Sequence, residues 1–144
     1  MFTLRPLLMA SLLALYWHPR QSASGANELA PCPNTPNCVS SDAVRESQRV
    51  LTVAFIDAPD VAQSRARAAL LAESRSKIIV ERGGYLHGEC RSLIFRFVDD
   101  VDIVVDSTAR VFRFRSASRV GRSDLGVNRK RIDRIAARLR PPVG

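Results

Sequence analysis

Val101, Ile103 and Val105 recur at every second position, and so do Phe112 and Phe114 beyond the turn residues Ser107-Thr108-Ala109. If Val105 pairs with Phe112, then Ile103 meets Phe114 and Val101 meets Ser116 on one face, while Asp102 faces Arg115 on the other. A slip of one residue would carry every one of these side chains to the wrong side, so one register satisfies both faces and pins an antiparallel hairpin. The apolar face of such a hairpin must be covered by a second layer.

The rest of the chain supplies that layer and extends the sheet. Lys77 to Arg82 and Tyr85 to Cys90 read as strands joined at Gly83-Gly84, Leu93 to Phe97 as a further strand with Asp99-Asp100 after it, and Val50 to Phe55 as a short strand upstream. Asp57, Pro59 and Asp60 form a helix start. Val61, Ala68 and Leu71 follow at helical spacing, which places a helix to about Ser74. Asn128 reads as the cap of a last helix whose Ile132, Ile135, Ala136 and Leu139 form one apolar stripe, ended by Pro141-Pro142. The expectation is an α+β fold, an antiparallel sheet of about five strands with two main helices packed on it. With 144 residues, 46% hydrophobic and 25% charged, the chain has the make-up of one globular domain, which excludes intrinsic disorder; three Cys are too few for a disulfide scaffold.

The organisation has three parts. Residues 1–24 read as a secretory signal: Arg5, the uncharged apolar run Leu7 to Trp17, and small residues that allow cleavage after Ser24 or Ala26. The run stops at His18-Pro19-Arg20, short of the roughly 20 apolar residues that span a membrane, so no stable transmembrane segment is expected after cleavage. Leu29-Ala30-Pro31-Cys32 is rejected as a lipid-anchor signal because Pro31 stands where a small residue is needed. Residues 25–43 are an extended, turn-rich arm rich in Pro and Asn, and residues 44–140 the single α+β domain. Export implies a periplasmic or secreted protein in an oxidising compartment.

Residues 25–109 carry nine basic and twelve acidic side chains, whereas residues 110–140 carry eleven basic and two acidic ones. In an exported chain this basicity points away from nucleic acid and toward a small anionic or polar ligand or an envelope component; the plainer reading is a solvated helix face with cross-strand ion pairs.

Three segments carry a resemblance. Pro31-Cys32-Pro33-Asn34-Thr35-Pro36-Asn37-Cys38-Val39-Ser40-Ser41, then Phe97 to Asp102, then Arg115 to Arg131 closely resemble the domain-of-unknown-function family 1499 (DUF1499). The resemblance runs from about Ala30 to Leu139, implies a bacterial protein that is exported or membrane-attached, and brings no assigned reaction. Cys90 stands outside the resembling pattern.

Cys32 and Cys38 enclose five residues, and a disulfide between them would hold the arm, leaving Cys90 a buried free thiol. Alternatives pair Cys90 with Cys32 or Cys38, assemble zinc from Cys32, Cys38, Cys90 and His87, or use Cys38 as a nucleophile with His87 as base. Asp99 and Asp100 read as paired acid-base carboxylates, as calcium ligands, or as charge partners of Arg115 and Arg119, with no histidine in reach by sequence.

The favoured function is non-catalytic binding of a small anionic or polar ligand, or a protein partner. The residues assigned to it are Asp99, Asp100, Arg115, Ser116, Ser118, Arg119, Ser123, Asn128 and Arg129. A hydrolase or redox enzyme using Cys38 or Asp99/Asp100, and a purely structural envelope protein, are the alternatives. No cofactor or metal motif is present.

Overall fold

A computed structural model describes residues 27–93 and 96–141. The expected leader, both cleavage points and Ile94-Phe95 of the expected strand lie outside the described residues. In chain order the elements are β1 (Cys38–Ser40), a 3-10 turn (Glu46–Gln48), β2 (Val53–Ala54), α1 (Pro59–Leu71), β3 (Ser76–Arg82), β4 (Tyr85–Arg91), β5 (Val98–Asp106), β6 (Val111–Ser118) and α2 (Val127–Leu139).

The fold is α+β. Its six-stranded sheet runs β1-β6-β5-β4-β3, with β2 also pairing β6, and every named pair is antiparallel. The central hairpin takes the register read from sequence: Val105 with Phe112, Ile103 with Phe114, Val101 with Ser116 and Asp102 with Arg115. Both helices lie on the face that carries Leu86, Val101, Ile103, Val105, Phe112 and Phe114, and they close the core with Ala62, Ala66, Leu70, Ile132, Ile135 and Leu139. On the opposite face Leu29 of the arm covers Tyr85 and Val104. β3 is an edge strand, and a register shift between Ile78 and Val80 bends it.

Several expectations change. The arm contains β1, which pairs with β6, because its backbone finds partners along an otherwise bare strand. The expected strand Val50 to Phe55 shrinks to Val53–Ala54, with Leu51 and Ile56 exposed. Asp99 and Asp100 lie inside β5 rather than in a turn, and Leu93 falls outside a strand.

In α1 the buried stripe is Ala62, Ala66, Ala69 and Leu70, whereas Val61 and Leu71 are exposed. The helix lies too close to the sheet for larger side chains and uses its alanine face instead. α1 ends at Leu71 rather than Ser74, and Asp57 pairs with Arg65 instead of capping. The N-cap of α2 is Gly126, in the left-handed conformation, while Asn128 lies inside the helix and is fully buried.

The close approach of α1 to β4 is fixed at Gly88. A Cβ there would lie 2.8 Å from Leu70 Cδ2 and 2.8 Å from the Lys77 carbonyl oxygen. We expect Gly88→Ala to cost about 1–3 kcal/mol in urea denaturation, since the Lys77 backbone cannot move aside without parting β3 from β4.

Candidate functional site

Successive residues of a strand point to opposite faces, and this divides the residues that sequence places in one site. Asp99, Ser116, Ser118 and Asn128 gather on the helix side; Asp100, Arg115 and Arg119 gather on the outer side. Ser123 only accepts a bond from the Leu125 amide in its turn, and Arg129 donates to the carbonyls of Arg49 and Ser47.

The inner group is a closed network. Arg131 donates to Asp99 at 2.6 Å, to Asn128 Oδ1 at 2.7 Å and to Ser116 Oγ at 3.1 Å, and both members of the ion pair are only 7% exposed. Asn128 Nδ2 donates to Ser118 Oγ, the Asn37 carbonyl and Asp124 Oδ2, while Asp124 also accepts from the Asn128 amide. Asn37 in turn donates to the Gly121 carbonyl, and Gln48 donates to the carbonyls of Pro33 and Thr35. Arm, sheet and α2 are thus tied by polar groups that satisfy one another. Such a network specifies geometry and leaves little for a ligand.

On the outer face Glu89 stands directly opposite Asp100, an arrangement that repels unless a cation intervenes. Arg119 supplies it, with Nε and Nη2 on Asp100 at 2.9 and 2.7 Å and Nη2 on Glu89 at 2.6 Å. His87 lies between Asp102, 2.8 Å from Nδ1, and Asp100, 3.4 Å from Nε2. A histidine is therefore in reach of the acids after all: it arrives by cross-strand pairing with Asp102, which sequence separation concealed. Tyr85 also donates to Asp102.

The protonation states follow from these contacts. The Asp102 hydrogen bond raises the His87 pKa against the opposing effect of burial. Burial opposes ionisation of Asp102, yet the bonds from His87 and Tyr85 outweigh it and keep the carboxylate below its ordinary pKa. Bonds from Lys77 and Arg119 pull Glu89 down to about 2.

A third grouping, missed by the sequence reading, forms a cleft of about 470 Å³ where the ends of α1 and β4 meet α2. Arg75, Arg91, Arg131, Arg134 and Arg138 line it, with Glu73 as the single acid. Glu73 is buried and binds both Arg134, at 2.6 Å, and Arg138, at 2.5 Å. Burial raises its pKa, but these two arginines more than reverse the shift. Arg75 points its Nε at the Arg91 carbonyl. Arg91 also lies 3.8 Å from Glu89, and with Glu73, Asp99 and Glu89 each set against one charge the five arginines still leave the cleft with a net positive charge. The signal was present in the sequence: Val127, Arg131, Arg134 and Arg138 repeat at spacings of four, three and four along one helix stripe.

Cys32 and Cys38 are joined in a disulfide, so Cys38 holds no thiolate and neither pairs with Cys90. Cys90 is a buried thiol whose pKa burial pushes up to about 11. Among the described residues no group of three or more His, Cys, Asp and Glu could hold a metal ion.

A family model described as a protein of unknown function (DUF1499) matches residues 28–139, from the arm through α2. No curated protein matches the sequence.

The buried pair and the histidine each give an expected outcome. Arg131→Met strands the Asp99 charge and should cost about 3–5 kcal/mol in urea denaturation, while adding Asp99→Leu recovers part of the loss. Because His87 has a raised pKa, its contribution is complete below the unfolded value of 6.5 and fades as pH climbs through the folded one. The lowered carboxylates Glu73, Glu89 and Asp102 contribute above their ordinary values of 4.5, 4.5 and 3.8 and fail as pH falls. Melting temperature should therefore fall on both sides of a plateau between roughly pH 5 and 6.5, and His87→Gln should flatten its alkaline side.

Proposed function

The chain belongs to the DUF1499 family of proteins of unknown function, and we propose that it is an exported, non-catalytic module that binds an anionic ligand. The observation that carries this reading is the arginine cleft, where the exposed Arg75, Arg91, Arg134 and Arg138 surround the buried Glu73 carboxylate, while Arg131, which also lines it, is buried and paired with Asp99. Arginine forks match phosphate, sulfate and carboxylate oxygens two at a time. The residues assigned from sequence frame the site rather than fill it. Asp99, Ser116, Ser118 and Asn128 hold α2 at the angle that turns Arg134 and Arg138 to the cleft, and Asp100 and Arg119 hold the sheet behind it.

Export is supported by the leader pattern of residues 1–24 and by the Cys32–Cys38 bond, which persists in an oxidising compartment. The non-catalytic reading is favoured because Cys38 is held in that bond and both ring nitrogens of His87 are turned to carboxylates, which leaves neither group poised to attack or deprotonate a substrate.

Inorganic pyrophosphate is a suitable probe. Bound at about 100 times its dissociation constant it should stabilise the fold by about 2.7 kcal/mol, seen as a rise in melting temperature that Arg134→Gln reduces and added salt suppresses. A melting temperature unmoved by pyrophosphate up to ten millimolar would remove the cleft as an anion site.

A further inference from the structure

The rim of the arginine cleft is apolar and bare. Leu93 and Val127 line the cleft and are 72% and 45% exposed, and Leu125, two residues before Val127, is 88% exposed. Leu93, held in water at the mouth of a cationic cleft, and Leu125, exposed in the turn just before α2, do nothing for the core. Arg75 and Leu125 have φ of 54° and 53°, the left-handed region that suits glycine or asparagine, a conformation shared by Arg96 and Arg110 elsewhere in the chain.

Resting on the anion-binding reading, we propose that the anion is the phosphate of an anionic lipid, and that the protein docks on an anionic membrane surface with Leu93, Leu125 and Val127 inserted. Charge complementarity selects this occupant, because a net positive cleft with an apolar rim matches the boundary where phosphates give way to acyl chains. Leucine tips reach below the headgroups while the arginines stay level with the phosphates, and the exposed Arg122 and Lys130 add positive charge before and within the first turn of α2. Among the described residues no helix is long and apolar enough to cross a membrane.

The test is co-sedimentation of the protein isolated from its host with vesicles of phosphatidylcholine alone, and of phosphatidylcholine with phosphatidylglycerol at three to one, beside a titration with glycerol phosphate. The expected result is binding to the anionic vesicles only, lost at high salt. It should weaken roughly tenfold in the paired variant Leu93→Ser with Leu125→Asn and about fivefold in Arg75→Asn. All three side chains lie at the surface and asparagine tolerates the left-handed backbone, so melting curves should confirm folded variants. Equal binding to neutral vesicles, or anionic-vesicle binding that ignores the leucine substitutions, would overturn the membrane proposal. Glycerol phosphate bound in the cleft with no vesicle binding would also overturn it while sparing the anion reading; neither ligand bound would sink both.

Discussion

A buried ion pair sets the plan of this domain. Asp99 lies on the core side of β5, where a carboxylate without a partner would cost several kcal/mol, and Arg131 of α2 neutralises it at 2.6 Å. Because Arg131 also binds Ser116 and Asn128, and Asn128 reaches the Asn37 carbonyl, the position of α2 is bound to two strands and to the arm at once. The helix cannot slide or rotate without exposing a charge. Apolar packing of Ile132, Ile135 and Leu139 closes the same layer, but apolar contacts alone would tolerate several placements of α2.

Most of the sheet was legible, since period-two patterning and opposed charges specify register locally, as the pairing of Asp102 with Arg115 illustrates. Less was legible where the information is not local. β1 has no pattern of its own and exists because β6 offers it hydrogen bonds; the buried face of α1 could not be chosen among so many alanines without knowing that Gly88 lies beneath Leu70. The candidate site suffered from the same limit. Asp99 and Asp100 are neighbours in sequence and belong to different sides of the molecule. The pairing of His87 with Asp102 needs the β4–β5 register, which the expected strand at Leu93 to Phe97 displaced.

The basic stretch of residues 110–140 is not simply a wet surface. Arg110 donates to the carbonyls of Ile56 and Asp57, Arg113 to that of Asn27, and Arg129 to those of Ser47 and Arg49. Guanidinium forks thus take the place that regular backbone pairing has elsewhere, tying the start of the arm and the irregular segment between β1 and α1 to the sheet and to α2. Lysine, a point charge on a flexible stem without a planar fork, would hold two carbonyls in a less defined geometry, which gives a physical reason for the prevalence of arginine here.

The bend in β3 bears on how this molecule behaves in a crowded compartment. A straight, exposed edge strand invites a strand of another molecule to continue the sheet, and growth of that kind ends in aggregates. The shift between Ile78 and Val80 breaks the row of hydrogen-bonding groups halfway along that edge, and Lys77, Glu81 and Arg82 place charges on either side of the break. The sheet is thereby closed to extension at its open end, so the part-exposed Ile79 and Val80 can lie there without nucleating a fibre.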